Sequence, residues 1–169
     1  MQNQHQDRID SDLFRTTMSH FATGVAAVCA MEDGQPVGMA VQSFVSLSLE
    51  PPLILISPSR TSTTYPRVRR AGRFAVSVLA DHQSEVARAL SRKGDDKFVD
   101  ISWHATESGL PVVDSSLAWM ECEIDTEHEA GDHYVTIARV LSLGHADEGN
   151  PLTFYRSAFN AIGSSAEPR

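Results

Sequence analysis

The chain has 169 residues, with 14 basic and 22 acidic side chains for a net charge of −8. That length suits a single domain able to bury roughly 70% of its unfolded surface without metal or disulfide support, and the acidic balance argues against nucleic acid or an anionic membrane as partner. Cys29 and Cys122 lie in apolar runs with no C-x-x-C pair, no signal peptide is evident, and no stretch approaches the ~20 apolar residues of a membrane span, so reduced thiols in a cytoplasmic protein are expected.

Residues 1–10 are polar and read as a disordered tail, 11–162 as the folded domain and 163–169 as a flexible tail. Asp10 or Ser11 can cap a short helix in which Leu13, Phe14, Thr17, Met18 and Phe21 recur at helical spacing, so it should pack by one face and end at Gly24. Val25 to Met31 reads as a buried strand, and Glu32 to Pro36 as the turn into a strand beginning at Val37. Two apolar runs follow, Phe44 to Leu49 and Leu53 to Ile56, hinged by Pro51 and Pro52, which cannot donate to a central ladder.

A helical turn is expected at Thr64 to Arg70, then a strand from Arg73 to Leu79. His82 to Arg92 forms an amphipathic helix with Val86, Ala89 and Leu90 on its apolar side, and Lys93 to Lys97 is a polar loop closing on Phe98. From Ser115 to Thr126 apolar and acidic residues alternate, the mark of an antiparallel strand with Glu121, Glu123 and Asp125 on a wet face. Ala130-Gly131-Asp132 turns into a partner strand, His133 to Leu143, and Pro151 to Tyr155 supplies a last short strand before a loose tail. Many short strands, few helices and no βαβ rhythm predict a mainly β protein, a β-barrel with helical insertions.

Two features suggest an anion site. The second proline-hinged strand empties into Ser57, Ser59, Arg60, Thr61, Ser62, Thr63 and Thr64, which suits a bound anion or caps the following helix. Between Pro51 and Ala80 there is no carboxylate, yet Arg60, Arg67, Arg69, Arg70 and Arg73 give the segment +5 against −13 elsewhere. Such arginines pair with phosphate oxygens, or simply line a solvated helix face. Lys97 could likewise reach an anion or remain solvated. No Rossmann, P-loop or hydrolase-elbow motif is present, and His128 to His133 lies on a hairpin without H-E-x-x-H spacing, so no metal is expected.

The succession Gly38-Met39-Ala40-Val41-Gln42-Ser43-Phe44, Ser46-Leu47-Ser48-Leu49-Glu50-Pro51-Pro52, Ala71 to Val76, Asp96-Lys97-Phe98, Gly131-Asp132-His133 and Pro151 to Arg156 resembles the short-chain flavin reductases. These are the NAD(P)H:flavin oxidoreductase components of two-component monooxygenases, and the likeness runs in order from Phe14 to Phe159. It implies an FMN-binding split β-barrel, homodimeric, with flavin near the subunit interface. By the same resemblance Pro36, Val37, Gly38, Met39, Ala40, Gln42 and Ser43 lie beside the flavin ring and ribityl chain. Ser57, Pro58, Ser59, Thr63 and Thr64 surround its phosphate, with Lys97 near it. His133 lies by the nicotinamide, where it positions the ring or supplies a proton, or else closes the hairpin by bonding backbone. Phe154, Tyr155 and Arg156 match the pyridine-nucleotide segment. Where many relatives read G-M-T-A-N-S, this chain reads G-M-A-V-Q-S, which leaves FMN or FAD open, as NADH or NADPH is.

The expected function is hydride transfer from NAD(P)H to flavin N5, with reduced flavin passing to a partner oxygenase. The cofactor carries that chemistry while the protein aligns two planes and excludes water. The alternatives are a flavoprotein that retains FMN as oxidase, oxygenase or carrier, and a non-catalytic flavin-binding sensor.

Overall fold

A computed structural model describes residues 9–162. The apolar run after Gly24 becomes strand β2 (Ala26–Glu32), and it is apolar throughout because both its faces are covered. Ala26, Val28 and Ala30 enter one core cluster with Tyr65 and Val68 of helix α2 (Tyr65–Ala71). Ala27 and Cys29 enter a second with Ala87 and Leu90 of helix α3 (Ser84–Ser91). Thus one strand separates two helices. Burial pushes both Cys29 and Cys122 thiols up to about 12, which keeps them protonated and inert.

Around β2 is built a seven-stranded antiparallel sheet. It contains β3 (Gln35–Val41), β4 (Val45–Leu49), β5 (Pro52–Ile56), β6 (Arg73–Val78), β9 (Ala118–Ala130) and β10 (His133–His145), in the order β3-β2-β6-β9-β10-β5-β4. The prolines end β4 and open β5 as their chemistry requires. The turn before β3 is tighter than the sequence suggests: Asp33 and Gly34 both take positive φ, so Glu32 pairs with Gln35 and β3 starts two residues early. Likewise Gly131 and Asp132 alone join β9 to β10, with Ala130 opposite His133.

Several expectations need correction. The first helix, α1 (Ser11–Met18), is capped by the Asp10 carboxylate at 3.0 Å but buries none of its residues, and it stops before Phe21. Residues Thr23–Gly24 instead form strand β1, pairing with β11 (Leu152–Tyr155), so backbone pairing overrides the helical spacing there. The tail after Tyr155 is no loose end, because β12 (Ala158–Ala161) folds back on β11 in register. A further hairpin, β7 (Trp103–Ala105) with β8 (Pro111–Val113), was too short to show a period. Glu121 does not face water: it is 9% exposed and accepts a 2.6 Å bond from the Ser108 hydroxyl. The alternation itself holds, with Met120, Cys122 and Ile124 in one core, but the opposite face is covered: Trp119 packs against Leu110 and Val112, and Ser108 caps Glu121 beside it. No helix among the described residues is long and apolar enough to cross a membrane.

Candidate functional site

Where β3 runs out and β5 empties into its loop, the two segments are laced together. Ser43 Oγ accepts from the Ser57 amide at 2.9 Å and donates to the Ser57 carbonyl at 3.2 Å, while Ser57 Oγ donates to the Tyr134 carbonyl at 2.9 Å. The loop is then zipped to the start of β10: Arg60 donates to Asp132 and Tyr134 to Pro58, each at 2.9 Å, which sets Ser59 opposite His133. In that geometry the Ser59 and His133 backbone groups turn away from each other. A histidine distant in sequence is thereby brought beside the hydroxyl loop.

Between these segments and the end of α3 opens a cavity of about 500 Å³. Its wall includes Met39, Ala40, Gln42, Ser43, Ser57, Pro58, Ser59, Thr63, Thr64, Lys97 and His133, eleven of the residues expected at a site. Thr61 and Ser62, members of the hydroxyl run already read as suited to an anion, also line it, whereas sequence reasoning missed Val25, Val41, Leu90, Ser91, Arg92, Lys93 and Phe159. Among the described residues, no carboxylate lines this cavity.

The other expected residues do not line this cavity. Pro36, Val37 and Gly38 border a narrow crevice with Arg67 and Phe98 that meets the cavity at Thr64 and Lys97. Phe154 reaches the cavity only through Phe159, against which it packs edge-on at 5.2 Å. Tyr155 lies beneath the Arg156 guanidinium at 5.5 Å, and Arg156 donates to His20 Nε2 at 3.1 Å, away from the cavity.

The five arginines of the basic segment also correct an expectation, since none lines the cavity and each pairs with a carboxylate from another part of the chain. Arg60 meets Glu129, Arg67 meets Glu32 and Asp95, Arg69 meets Glu127, Arg70 meets Glu32, and Arg73 meets Glu123. Charge that is clustered in sequence is balanced across the sheet.

Lys97, by contrast, is not a solvated loop lysine. It is 9% exposed, and its ammonium donates to the Gly38 carbonyl at 3.1 Å, Thr64 Oγ1 at 2.8 Å and the Leu90 carbonyl at 3.2 Å. Burial, reinforced by the nearby Arg67 charge, lowers its affinity for a proton. His133 Nδ1 lies 2.8 Å from an Asp132 oxygen, a bond that holds the Asp132 carboxyl below its ordinary value. With Nδ1 donating to that carboxylate, Nε2 is the nitrogen left for a ligand.

The donor set therefore fits a phosphorylated ligand at one end and a flat polar one along the β3 wall. Hydroxyls, cations and the Thr63 and Thr64 amides, which make no hydrogen bond among the described residues, suit the anion. Residues 18–163 match the family described as "Flavin reductase like domain".

The chain belongs to that family. It is 41% identical over 156 residues, 92% of this chain and 80% of the relative, to the reductase subunit of a flavin-dependent monooxygenase from Rhodococcus jostii. Nitrilotriacetate monooxygenase component B from Mycobacterium thermoresistibile has a similar structure, with TM-score 0.90 and 36% identity over 95% of this chain and 92% of that one. The NADH:FAD oxidoreductase of Streptomyces globisporus, solved with NAD and FAD fragments, gives TM-score 0.88 and 30% identity, covering 94% and 96% of the two chains. In this flavin reductase fold the cavity lies where β3, the β5 loop and β10 converge.

Proposed function

We propose that this protein is an NAD(P)H:flavin oxidoreductase that supplies reduced flavin to a partner monooxygenase. The observation that carries the reading is a cavity, carboxylate-free among the described residues, walled by hydroxyls, free amides and cations, in a chain of the flavin reductase family. FMN or FAD, when bound, supplies hydride acceptance from a dihydronicotinamide.

The protein's own residues do the rest. Ser57, Ser59, Thr63 and Thr64 hold the phosphate end, while Met39, Ala40, Gln42 and Ser43 wall the ring and ribityl end. Phe159 shields the cavity from water, with Phe154 buttressing it from behind. His133, its tautomer set by Asp132, presents Nε2 toward the nicotinamide, where it orients the carboxamide or exchanges a proton. Alignment of two planes in a partly dry cleft is enough for the reaction.

The working form is a homodimer of split barrels in the cytoplasm. Leu49 at 86% and Leu143 at 63% exposure, with Val45, Leu47 and Leu141, put exposed apolar side chains on β4 and β10, the kind of surface that a partner copy covers. An NAD(P)H co-substrate and two free buried thiols also suit that compartment.

The test is steady-state NADH and NADPH oxidation by purified protein with FMN, FAD or no flavin added. Turnover that saturates with added flavin is expected. Negligible oxidation by a flavin-loaded protein would replace this reading with that of a carrier or sensor.

A further inference from the structure

We propose that this protein carries a second ligand site, remote from the flavin cavity, for a small organic cation: an amidinium, guanidinium or ammonium group on a flat apolar body. The site is independent of the flavin reductase reading and goes beyond it.

A second cavity, of about 560 Å³, opens between the tip of the β7–β8 hairpin and the sheet, where β9 begins and β10 ends. His104, Glu107, Ser108, Trp119, Glu121 and Ser142 line it, and it shares no lining residue with the flavin cavity. Ser142 stands nine residues beyond His133, roughly 30 Å along an extended strand. A cavity of that volume admits a whole small molecule. Ser142 lies opposite Glu121 and Leu143 opposite Met120, so the two leave β10 on different faces and the cavity is not on the side of the exposed Leu143.

Glu121 is the group that asks for a ligand. It is nine-tenths buried and forms no ion pair among the described residues. Ser108 satisfies its Oε1 at 2.6 Å, whereas its Oε2 accepts no hydrogen bond among the described residues. No polar side-chain atom among them is sealed from solvent without a partner, so Oε2 opens into the cavity that Glu121 lines. A buried carboxylate without a counter-charge is costly, and a cation delivered to its free oxygen relieves that cost.

The rest of the wall has the same preference. Trp119 rests on Leu110 and Val112, and its indole lies across Gly144, where a Cβ would meet Nε1 at 2.8 Å and Cε2 at 3.0 Å. An indole face is the aromatic surface that attracts cations most strongly. With Nδ1 donating to Asp114 at 2.6 Å, the neutral His104 ring leaves Nε2 as an acceptor. Glu107 adds an exposed carboxylate, and no lysine or arginine lines the cavity among the described residues. Acceptors around a π face, with no fixed cation, repel anions and select a positive group whose N–H can reach Oε2.

The test titrates benzamidine, benzyl alcohol and benzoate, which share a ring and differ in charge, into the protein by calorimetry and indole fluorescence. Benzamidine should bind on the order of 10- to 100-fold more tightly than benzyl alcohol, the range of one charge-assisted contact, and benzoate should not bind. Saturating FMN should not displace it. Glu121→Gln keeps the side-chain size and the Ser108 bond, and should erase the preference for the cation. Ser142→Arg sets a fixed cation in the wall from an exposed strand position, and should abolish benzamidine binding while melting temperature and flavin-dependent NADH oxidation stay as in wild type. It carries the same test where Glu121→Gln lowers stability. Glu123→Gln, which removes a carboxylate paired with Arg73 outside the cavity, should keep wild-type affinity. No binding, equal binding of the three ligands, wild-type benzamidine affinity in Glu121→Gln or Ser142→Arg, or displacement by FMN each overturns the proposal and leaves the reductase reading standing.

Discussion

His133 shows how one residue can be placed by backbone pairing alone. Its ring is half exposed, and its position rests on the Ser59 bridge and the Asp132 bond rather than on packing, so truncating it should leave the fold intact. His133→Ala is therefore expected to raise the nicotinamide KM or slow flavin reduction several-fold, with flavin affinity nearly unchanged; identical stopped-flow and steady-state constants would remove it from the site. Glu32 offers a second test. Bonds from Arg70 and Arg67 hold its carboxyl below the ordinary value of 4.5. A lowered carboxyl contributes its stability in full above that ordinary value and loses it as pH falls through the depressed one. Melting temperatures from pH 7 to 3 should thus fall below about pH 4.5 in wild type, and more shallowly in Glu32→Gln, whose starting value is lower. These partnerships were not legible in the sequence: five arginines without a nearby carboxylate look like an anion site until the sheet brings Glu32, Glu123, Glu127 and Glu129 across to them.

At the scale of the element, β3 is confined on the face that backs the site. A Cβ at Gly38 would meet Cys29 Sγ at 2.9 Å and Phe98 Cζ at 3.0 Å, and the Gly38 carbonyl anchors Lys97. Gly38→Ala should cost about 1–3 kcal/mol in denaturant titration and weaken flavin binding with it. Unchanged stability would mean that Phe98 swings aside freely. The strong strands were readable because residues 25–31, 53–56 and 73–79 are apolar enough to demand burial, and the proline corner was readable because proline forbids pairing. What stayed hidden depends on distant contacts: β1, β7 and β12 run two to four residues, too short for a period, and exist because a partner strand accepts them. Arg92 was read as the last residue of an amphipathic helix and Lys93 as loop charge, whereas Lys97 was singled out from the residues themselves as able to reach an anion.

For the molecule as a whole, the exposed apolar side chains of β4 and β10 carry the prediction of a dimer. Light scattering should give twice the mass of an 18.5 kDa chain, and Leu49→Glu should halve it. A wild-type monomer would leave that surface free for the oxygenase instead. The overall class, mainly β with helical insertions, was legible from turn spacing, whereas the strand order β3-β2-β6-β9-β10-β5-β4 was not, because register depends on partners far apart in the chain. One further property follows from the walls of the cavity. Val25 comes from the beginning of the described chain and Phe159 from its end, and both line the same space. During synthesis the pocket therefore lacks a side until the final hairpin has emerged and docked. Flavin meets only the finished protein, and by mass action it raises the yield of refolding without hastening the early collapse.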